Sequence, residues 1–308
     1  MPNTAPIQGP VLITGASGFV GRHVIAALGA ASPATQVISS STDITDRTAL
    51  RALIERTKPV ACLHLAAIAA IGVARNAPDR AWAVNLHGTL NLAGAITEHA
   101  PSCRLIFVSS ADIYGGSFRA GEALTEHAVL HPLNTYAATK AAADLALGAM
   151  AAENLSVLRL RAFNHTGPGQ SDHFAIPAFA RQIALAEAGL APPAIRVGAL
   201  TPERDFLDVR DIARAYAAAL ATPLPSGTIL NIASSTPRKI GDALDALLSL
   251  AKIKIQVEQD PSRLRPVDIP RAIGDATQAR KLLNWHPVIP WHQTLEDTLN
   301  DWRERVRQ

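Results

Sequence analysis

The feature that most constrains the fold is a glycine-rich turn near the start of the chain. Residues 14–21 read TGASGFVG, which places Gly15, Gly18 and Gly21 between an apolar strand and a helix. In such a turn the first glycine permits the sharp bend, the second lets a pyrophosphate approach the backbone, and the third lets helix and sheet pack closely. The free N–H groups at the helix N-terminus favour phosphate. The strand–turn–helix context therefore predicts a dinucleotide-binding site.

Beyond this turn, short apolar runs alternate with alanine- and leucine-rich helical stretches. We expect strands at residues 11–14, 36–39, 61–65, 104–109, 156–161 and 228–233. We expect the main helices at residues 18–30, 48–56, 81–99, 136–153 and 211–221. Strands joined by helical crossovers form a buried parallel sheet. The sequence therefore predicts an α/β fold, a Rossmann-type doubly wound parallel sheet that binds its ligand at the carboxyl ends of the strands.

The character of the sequence changes after residue 164, where glycine and proline become frequent and arginines cluster between residues 196 and 214. We predict a dinucleotide-binding domain over residues 1–164, which the chain rejoins at about 208–235. Residues 165–207 and 236–308 are expected to form mainly a smaller, mixed α/β lobe that binds the substrate.

The end of the second strand bears on the choice of dinucleotide. An acidic residue at this place holds a ribose 2′-hydroxyl, whereas this chain has three serines beginning at Ser39, and its first carboxylate is Asp43. The hydroxyls favour NADPH, but no arginine is present to clamp a 2′-phosphate, so NADH stays open. Asp43 and Ile44 are expected to cover the adenine. The alternative for Asp43 is a carboxylate that only caps a turn.

Three further residues suggest proton chemistry on a carbonyl. Tyr136 and Lys140, in YAATK, are four apart on a predicted helix and therefore share a face. At about 4 Å an ammonium attracts a phenolate by about 4 kcal/mol, enough to bring a phenol pKa from about 10 to near neutrality. Ser110 ends the strand LIFVSS, from which a hydroxyl reaches a carbonyl. We expect Tyr136 to act as the general acid or base.

Together these segments resemble the extended short-chain dehydrogenases/reductases over essentially the whole chain. The matching motifs are TGASGFVG, HLAA, AVNLHGTLN, SSADIYG and YAATK. The resemblance implies that Ser110 is the catalytic Ser/Thr, Tyr136 the acid/base, and Lys140 the residue that activates the tyrosine and holds the ribose. It implies cofactor contacts by Gly15, Ser17, Gly18, Phe19, Val20, Gly21, Ser39, Asp43, Ile44, Leu65, Ala66, Ala67, Asn85, Ser109, Tyr136, Lys140 and Phe163.

The later segments AFNHTGPGQ, ERDFLDVRDIARAY and DPSRLRPVDIP resemble members of that family that reduce a GDP-linked 4-keto-6-deoxy sugar. The resemblance implies a nucleotide-sugar substrate and substrate contacts by Ser110, Asp112, Asn164, Val197, Arg204 and Arg265. A guanidinium also presents a planar fork that suits diphosphate oxygens. For each arginine the alternative is a solvated or ion-paired surface side chain.

Other activities of the family remain open at this stage. The related 4,6-dehydratases carry a glutamate two residues before the tyrosine of YG, where this chain has the shorter Asp112, which weakens a dehydratase assignment. A 4-epimerase would use the same three catalytic residues. The face of the sugar that receives hydride, which decides between a rhamno and a 6-deoxytalo product, is not fixed by residue identity. A non-enzymatic NADP-sensing regulator is not expected to retain Ser110, Tyr136 and Lys140 together.

Composition excludes several classes of partner. Hydrophobic residues make up 48% and charged residues 18%, which is typical of a globular protein with a large core. The net charge is +3 with no dense basic run, so no nucleic-acid partner is expected. No uncharged apolar run of about 20 residues occurs, so no membrane span is expected. The first residues lack the basic and apolar segments of a signal peptide.

Several single residues complete the expectations. Cys62 and Cys103 lie in apolar, strand-like segments and are expected to be buried thiols of a cytoplasmic protein. His165 and His173 have no carboxylate or cysteine partner at metal spacing, so no metal site is expected. The helices at 81–99 and 136–153 carry many small side chains, and we expect them to form a homodimer interface or, alternatively, only to cover the sheet.

Overall fold

The computed structural model describes residues 7–264 and 269–308. Its strands are β1 Val11–Thr14, β2 Val37–Ser40, β3 Ala61–His64, β4 Arg104–Ser110, β5 Val157–Ala162, β6 Asn164–Thr166, β7 Ala194–Val197, β8 Glu203–Asp208, β9 Ile229–Ile232, β10 Pro237–Lys239, β11 Gln256–Gln259 and β12 Arg271–Ala272. Its α-helices are α1 Phe19–Ala31, α2 Arg47–Thr57, α3 Ile71–Asn76, α4 Pro78–Trp82, α5 Thr89–His99, α6 Thr135–Ala152, α7 Ala175–Glu187, α8 Val209–Ala221, α9 Ile240–Ser249, α10 Thr277–Leu283 and α11 Trp291–Arg307. Short 3₁₀ segments lie at Ala111–Ile113, Gly115–Ala120 and Pro261–Arg263.

The central sheet has six strands in the order β2-β1-β3-β4-β5-β9. All neighbouring pairs are parallel, and Val11 of β1 aligns with both Val37 of β2 and Ala61 of β3. The direction of winding reverses between β1 and β3, so their carboxyl ends flank the crevice in which such sheets bind ligands. The predicted doubly wound α/β fold is confirmed.

Apolar residues fill both faces of this sheet. β1 is fully buried along its apolar residues, as a strand covered by helices on both sides requires. One apolar cluster lies with α1 and α8, and the other lies with α2 and α5. Cys62 and Cys103 belong to the second cluster and are free and buried, as predicted. The core therefore fixes the strand ends that carry the candidate site.

The later part of the chain builds a second set of strands. β8 pairs with β6, β10 and β12, and β7 pairs with β11. A third apolar cluster packs α7, α9 and α11 against β7 and β8. The sequence did not predict α7 or α11. The proposed division at residues 164, 208 and 235 stays a prediction.

One predicted helix differs in its internal geometry. The segment expected as a single helix over 81–99 begins earlier, with Pro78 at the first helical position, where its missing N–H costs nothing. It then passes through a π-helical turn, Ala83–Gly88, before α5. Such turns are concentrated at functional sites, and this one carries Asn85. No helix in the described part of the chain is both long and apolar enough to cross a membrane.

Candidate active site

The glycine turn after β1 has the geometry that its sequence demands. Gly15 has φ +70°, and a Cβ there would lie 2.8 Å from the Ala66 nitrogen. A Cβ on Gly21 would lie 2.5 Å from the Ala16 carbonyl oxygen. The Gly18 N–H donates to the Gly15 carbonyl at 3.0 Å and closes the turn. The first turn of α1 contains no acidic residue and no side-chain cap, so its N–H groups are available to an anion.

The structure gathers most of the predicted cofactor residues around this turn. Ser17 and Gly18 are exposed, while Phe19 and Val20 at the start of α1 are partly exposed. Residues 65–67 follow β3 and are also partly exposed, with the Leu65 N–H donating to the Thr14 carbonyl at 3.2 Å. The two strand ends thus form one edge of a crevice at the switch point of the sheet.

The residues after β2 have more local roles than expected. Ser39 is exposed within β2. The Asp43 carboxylate accepts the Thr45 N–H at 2.9 Å and the Thr45 hydroxyl at 2.8 Å, and these bonds lower the pKa of Asp43. Ile44 is buried and packs against Gly88. A Cβ on Gly88 would lie 2.7 Å from the Ile44 side chain. Asp43 therefore has the turn role considered as its alternative, and adenine contacts by Asp43 and Ile44 stay predictions.

The three predicted catalytic residues meet at the carboxyl end of β4. Ser110 ends β4, and its hydroxyl accepts the Asp112 N–H at 3.1 Å. Tyr136 lies in the first turn of α6, a helix that Asn134 caps by accepting the Ala137 N–H at 2.9 Å. A hydrogen bond from Ser110 reaches the Tyr136 phenol. Lys140 follows one turn later and points to β4.

The expectation that Lys140 brings the pKa of Tyr136 to near neutrality is wrong for this structure. Burial raises the pKa of the Tyr136 phenol, the Asp112 carboxylate raises it further, and the hydrogen bond from Ser110 opposes both effects. Lys140 is directed to strand β4. Its nitrogen donates to the Val108 carbonyl at 2.5 Å and lies 4.2 Å from the centre of the Phe107 ring. Tyr136 is therefore a protonated phenol, the form able to donate a proton.

Lys140 itself is strongly affected by its surroundings. It is 4% exposed, and burial lowers the pKa of its ammonium group to about 7, while the Asp144 carboxylate one turn later raises that pKa. A lysine and a tyrosine on one helix whose pKa values are both strongly shifted are typical of a catalytic centre.

Three other predicted cofactor residues lie deeper. Asn85 is 1% exposed, and its amide bonds to the backbone of Ile68 and to Thr139. Ser109 is 3% exposed, and its hydroxyl oxygen has no hydrogen-bond partner among the described residues. The Phe163 ring packs against Tyr114. A buried, unpartnered hydroxyl at the carboxyl end of β4 is a place where a polar ligand group would be stabilised.

The predicted substrate residues are more dispersed. Asn164 is exposed at the start of β6, and Asp112 is partly exposed beside Ser110. Arg204 donates to the Glu203 carbonyl at 2.8 Å and the Ile269 carbonyl at 2.7 Å, which ties it to the segment before β12. Val197 is 2% exposed within the third apolar cluster, so a substrate contact by it stays a prediction. Arg265 lies outside the described residues.

Sequence reasoning missed a buried charge network next to the site. Asp144 is 0% exposed and accepts hydrogen bonds from Arg159 and Arg161. Arg161 also bonds to the Tyr114 hydroxyl at 3.0 Å. A signal was present, since Asp144 is a lone carboxylate in an alanine-rich helix, four residues after Lys140. In the described residues no group of three His, Cys, Asp or Glu side chains is placed to hold a metal ion.

A doubly wound parallel sheet with this glycine turn, followed by a helix that carries Tyr-x-x-x-Lys, is the architecture of the extended short-chain dehydrogenases/reductases. The chain belongs to the NAD dependent epimerase/dehydratase family, whose family model matches residues 11–233. The predicted family is thereby confirmed.

Within this family, the chain is similar over nearly its whole length to enzymes named for GDP-linked 6-deoxy sugars. GDP-6-deoxy-D-mannose reductase from Pseudomonas aeruginosa is 36% identical over 97% of this chain and 98% of its own length. GDP-6-deoxy-D-talose 4-dehydrogenase from Aggregatibacter actinomycetemcomitans is 26% identical over 89% of this chain and 90% of its own length. A solved structure of RMD from Pseudomonas aeruginosa complexed with NADPH matches with a TM-score of 0.89 and 33% identity, covering 97% of this chain and 100% of that one.

Proposed function

We propose that this chain reduces the C4 ketone of GDP-4-dehydro-6-deoxy-D-mannose to GDP-D-rhamnose. The observation that carries the proposal is the 36% identity to GDP-6-deoxy-D-mannose reductase over 97% of the chain. The chain also keeps a serine, a tyrosine and a lysine at the carboxyl end of β4, and these residue types are suited to proton transfer to a carbonyl oxygen.

The residues of the chain have distinct roles in this reaction. On substrate binding, the Ser110 hydroxyl turns its single hydrogen from the Tyr136 phenol to the ketone oxygen and orients that oxygen toward Tyr136. Tyr136 then donates its phenolic proton to the oxygen that becomes the C4 hydroxyl. The raised pKa of Tyr136 supports this direction, because it keeps the phenol protonated before the reaction. Lys140, held on β4 by the Val108 carbonyl, contributes an ammonium group to the same wall of the site.

The cofactor we propose is NADPH, with NADH as the alternative. When bound, it supplies the hydride. The turn at Gly15 and Gly18 fits a pyrophosphate because neither position has a Cβ and the start of α1 has no acidic residue. The serines that begin at Ser39 suit a 2′-phosphate, and a relative of this chain was solved with NADPH. The buried Ser109 hydroxyl offers a further polar contact.

The nucleotide-sugar substrate is assigned mainly to the later lobe. Asn164 is exposed at the start of β6 and is proposed to bond a diphosphate oxygen or a sugar hydroxyl. Arg204 and Arg265 are proposed to bind the diphosphate through their planar guanidinium groups. A dehydratase activity is disfavoured by Asp112, whose carboxyl is one methylene shorter than the glutamate typical of that reaction.

A coupled reaction tests the proposed function. The purified protein is incubated with GDP-mannose, a GDP-mannose 4,6-dehydratase and either NADPH or NADH, with absorbance followed at 340 nm and the product identified by NMR. We expect cofactor consumption and GDP-D-rhamnose. The resemblance to a 6-deoxytalose enzyme makes the talo product the specific alternative at C4. A 4-keto sugar left unchanged with both cofactors would contradict the reductase, and cofactor binding without consumption would indicate a regulator.

We further propose a cytoplasmic homodimer. Trp82 on α4 and Leu145 on α6 expose 36% and 59% of their surface, which supports an interface built from these helices. The free, buried thiols Cys62 and Cys103 support a reducing compartment. Light scattering on the wild type and on Leu145→Glu tests the dimer. We expect a dimer and a monomer respectively, and a wild-type monomer at micromolar concentration would overturn this part of the proposal.

A further inference from the structure

A continuous chain of buried hydrogen bonds connects the glycine turn with the catalytic helix. In order from β1 to α6 its side chains are Thr14, His64, Thr89, Asn85 and Thr139. Each of these residues is at most 2% exposed. We refer to these five residues as the buried chain. Its two ends lie in the elements that carry the dinucleotide turn and Tyr136.

The donors and acceptors fix the direction of the first half of the buried chain. The Thr89 hydroxyl lies 2.7 Å from the Asn85 carbonyl oxygen, which only accepts, so Thr89 donates there. The Thr89 oxygen is then an acceptor for His64 Nε2 at 3.0 Å. His64 Nε2 must therefore carry the hydrogen.

The tautomer of His64 follows from this direction. With the hydrogen on Nε2, a neutral imidazole leaves Nδ1 as an acceptor. Nδ1 receives the Thr14 hydroxyl hydrogen at 2.7 Å. The Thr14 oxygen in turn accepts the Ala66 N–H at 3.3 Å. Ala66 is the residue that a Cβ on Gly15 would touch, so this end of the buried chain meets the dinucleotide turn.

The second half of the buried chain has an equally fixed direction. The Asn85 Oδ1 accepts the Ile68 N–H at 2.8 Å, so its Nδ2 faces Thr139 and donates at 3.0 Å. The Thr139 hydroxyl then donates to the Tyr136 carbonyl at 2.8 Å. Every polar hydrogen along the path has one assigned acceptor.

Charge on His64 would disrupt this order. A hydrogen on Nδ1 would face the Thr14 hydroxyl, which would have to turn its own hydrogen away. Burial and the nearby Lys140 cation lower the pKa of His64 to about 3, so the imidazole stays neutral. A fully satisfied buried network rigidifies the groups that it connects.

We propose that His64 and Thr139 are positioning residues, which through the buried chain hold the dinucleotide turn at Gly15 in register with the Tyr136 phenol. This inference rests on the proposed reductase function for its kinetic consequence. The geometry itself concerns only the free protein.

The first test reads the His64 tautomer by NMR of the wild-type protein labelled with ¹⁵N-histidine. We expect a neutral imidazole with the hydrogen on Nε2 and a bare Nδ1. The Thr14→Val variant identifies the signal, because it removes the hydrogen bond to Nδ1. An Nδ1–H tautomer, or an imidazolium at pH 7, would overturn the proposal. This measurement needs no substrate, so it stands even if the proposed reaction fails.

The second test separates the two ends of the buried chain by kinetics. A small misplacement of a catalytic group costs up to about 100-fold, so we expect Thr139→Val to lower kcat by about 10- to 100-fold with the cofactor Kd nearly unchanged. Thr139→Ser, which keeps the hydroxyl, should restore kcat. Thr97→Val is the matched control, because the Thr97 hydroxyl also bonds a helix carbonyl, that of Ala93 at 3.0 Å, outside the buried chain.

The third test concerns Thr14, at the end of the buried chain next to the dinucleotide turn, and His64, the residue that follows it in the buried chain. We expect Thr14→Val to weaken cofactor binding more than it lowers kcat, and His64→Leu to change both parameters. His64→Gln keeps a donor and an acceptor and should recover most of each. Equal effects of Thr139→Val and Thr97→Val on kcat, or no Kd change in His64→Leu, would overturn the proposal. If no reduction is found at all, cofactor Kd and the tautomer still decide it.

Discussion

The Lys140 nitrogen lies 2.5 Å from the Val108 carbonyl oxygen, two residues before the end of β4. This contact draws the lysine into the sheet edge beside Ser110 and over the Phe107 ring. The same burial that holds the ammonium lowers its pKa to about 7. The charge of Lys140 therefore changes close to neutral pH, while the raised pKa of Tyr136 keeps the phenol protonated.

Cofactor affinity should follow the charge of Lys140. Below pH 7 the ammonium is protonated and available to a ribose hydroxyl, and above it a hydrogen-bond donor and the charge are lost. We expect the Kd for NADH to rise as the pH passes through about 7. NADH is used because a phosphate monoester, like that of NADPH, titrates near pH 6. Fluorescence titrations between pH 5.5 and 9 measure the effect.

Two variants assign that titration. Tyr136→Phe should keep the same midpoint, because the phenol does not ionise in this range. Lys140→Met should bind NADH weakly at every pH, and its Kd should show no transition near pH 7. A midpoint near 7 that persists in Lys140→Met would assign the titration to another group and contradict the prediction.

The proton-donor role predicts a large and specific loss of rate. Tyr136→Phe should lower kcat for ketone reduction by about 10²- to 10⁴-fold, as expected for a lost general acid, with cofactor Kd retained. Tyr216→Phe is the comparison variant, because it removes a second buried tyrosine hydroxyl, one close enough to Tyr136 for the two phenols to interact, without removing the proposed proton donor. Steady-state kinetics should give near-normal turnover for that variant. Near-normal turnover of Tyr136→Phe would exclude its proposed role.

The sequence predicted those parts of the site that depend on local patterns. The turn at Gly15 follows from the glycine spacing between one strand and one helix. The shared face of Tyr136 and Lys140 follows from their spacing of four residues on one helix. The parallel sheet then brings their strand ends to one edge, which the alternation of strands and helices already implied. These elements are correct in the structure to within a residue or two.

The remaining features depend on contacts between distant segments. The pKa of Tyr136 depends on where Lys140 points, and the Val108 carbonyl decides that. The π-helical turn at Asn85 arises with side-chain bonds to Ile68, which is 17 positions earlier in the chain. Such tertiary contacts leave no periodic signal in the sequence.

The glycine turn gives a prediction that separates strain from binding. Gly15→Ala should weaken cofactor binding and lower stability, because φ is +70° and the new Cβ would lie 2.8 Å from the Ala66 nitrogen. Gly29→Ala in α1 is the control, since a Cβ there meets nothing within 4 Å and alanine favours the helix by about 1 kcal/mol. Thermal unfolding and cofactor titration of both variants measure the contrast. Equal behaviour of the two would show that the turn tolerates a side chain.

The buried carboxylate Asp144 should make a large contribution to stability. Its Oδ1 lies 3.0 Å from Arg161 and 3.1 Å from Arg159, and those side chains are only 4% and 12% exposed. Removing one partner leaves buried charge without compensation, which costs about 3–5 kcal/mol. We therefore expect Asp144→Ala to lower the free energy of unfolding in urea by about that amount. The loss should be present without cofactor, because both arginines are already buried in the free protein.

A surface ion pair provides the control for this prediction. Asp172 and Arg181 lie 3.5 Å apart, with side chains 41% and 43% exposed, so solvent screens their attraction. Exposed pairs contribute about 0–1 kcal/mol, and Asp172→Ala should change the free energy of unfolding by no more than that. If Asp144→Ala costs as little as Asp172→Ala, Arg159 and Arg161 do not need the carboxylate. In that case water or a backbone carbonyl must compensate the two guanidinium groups.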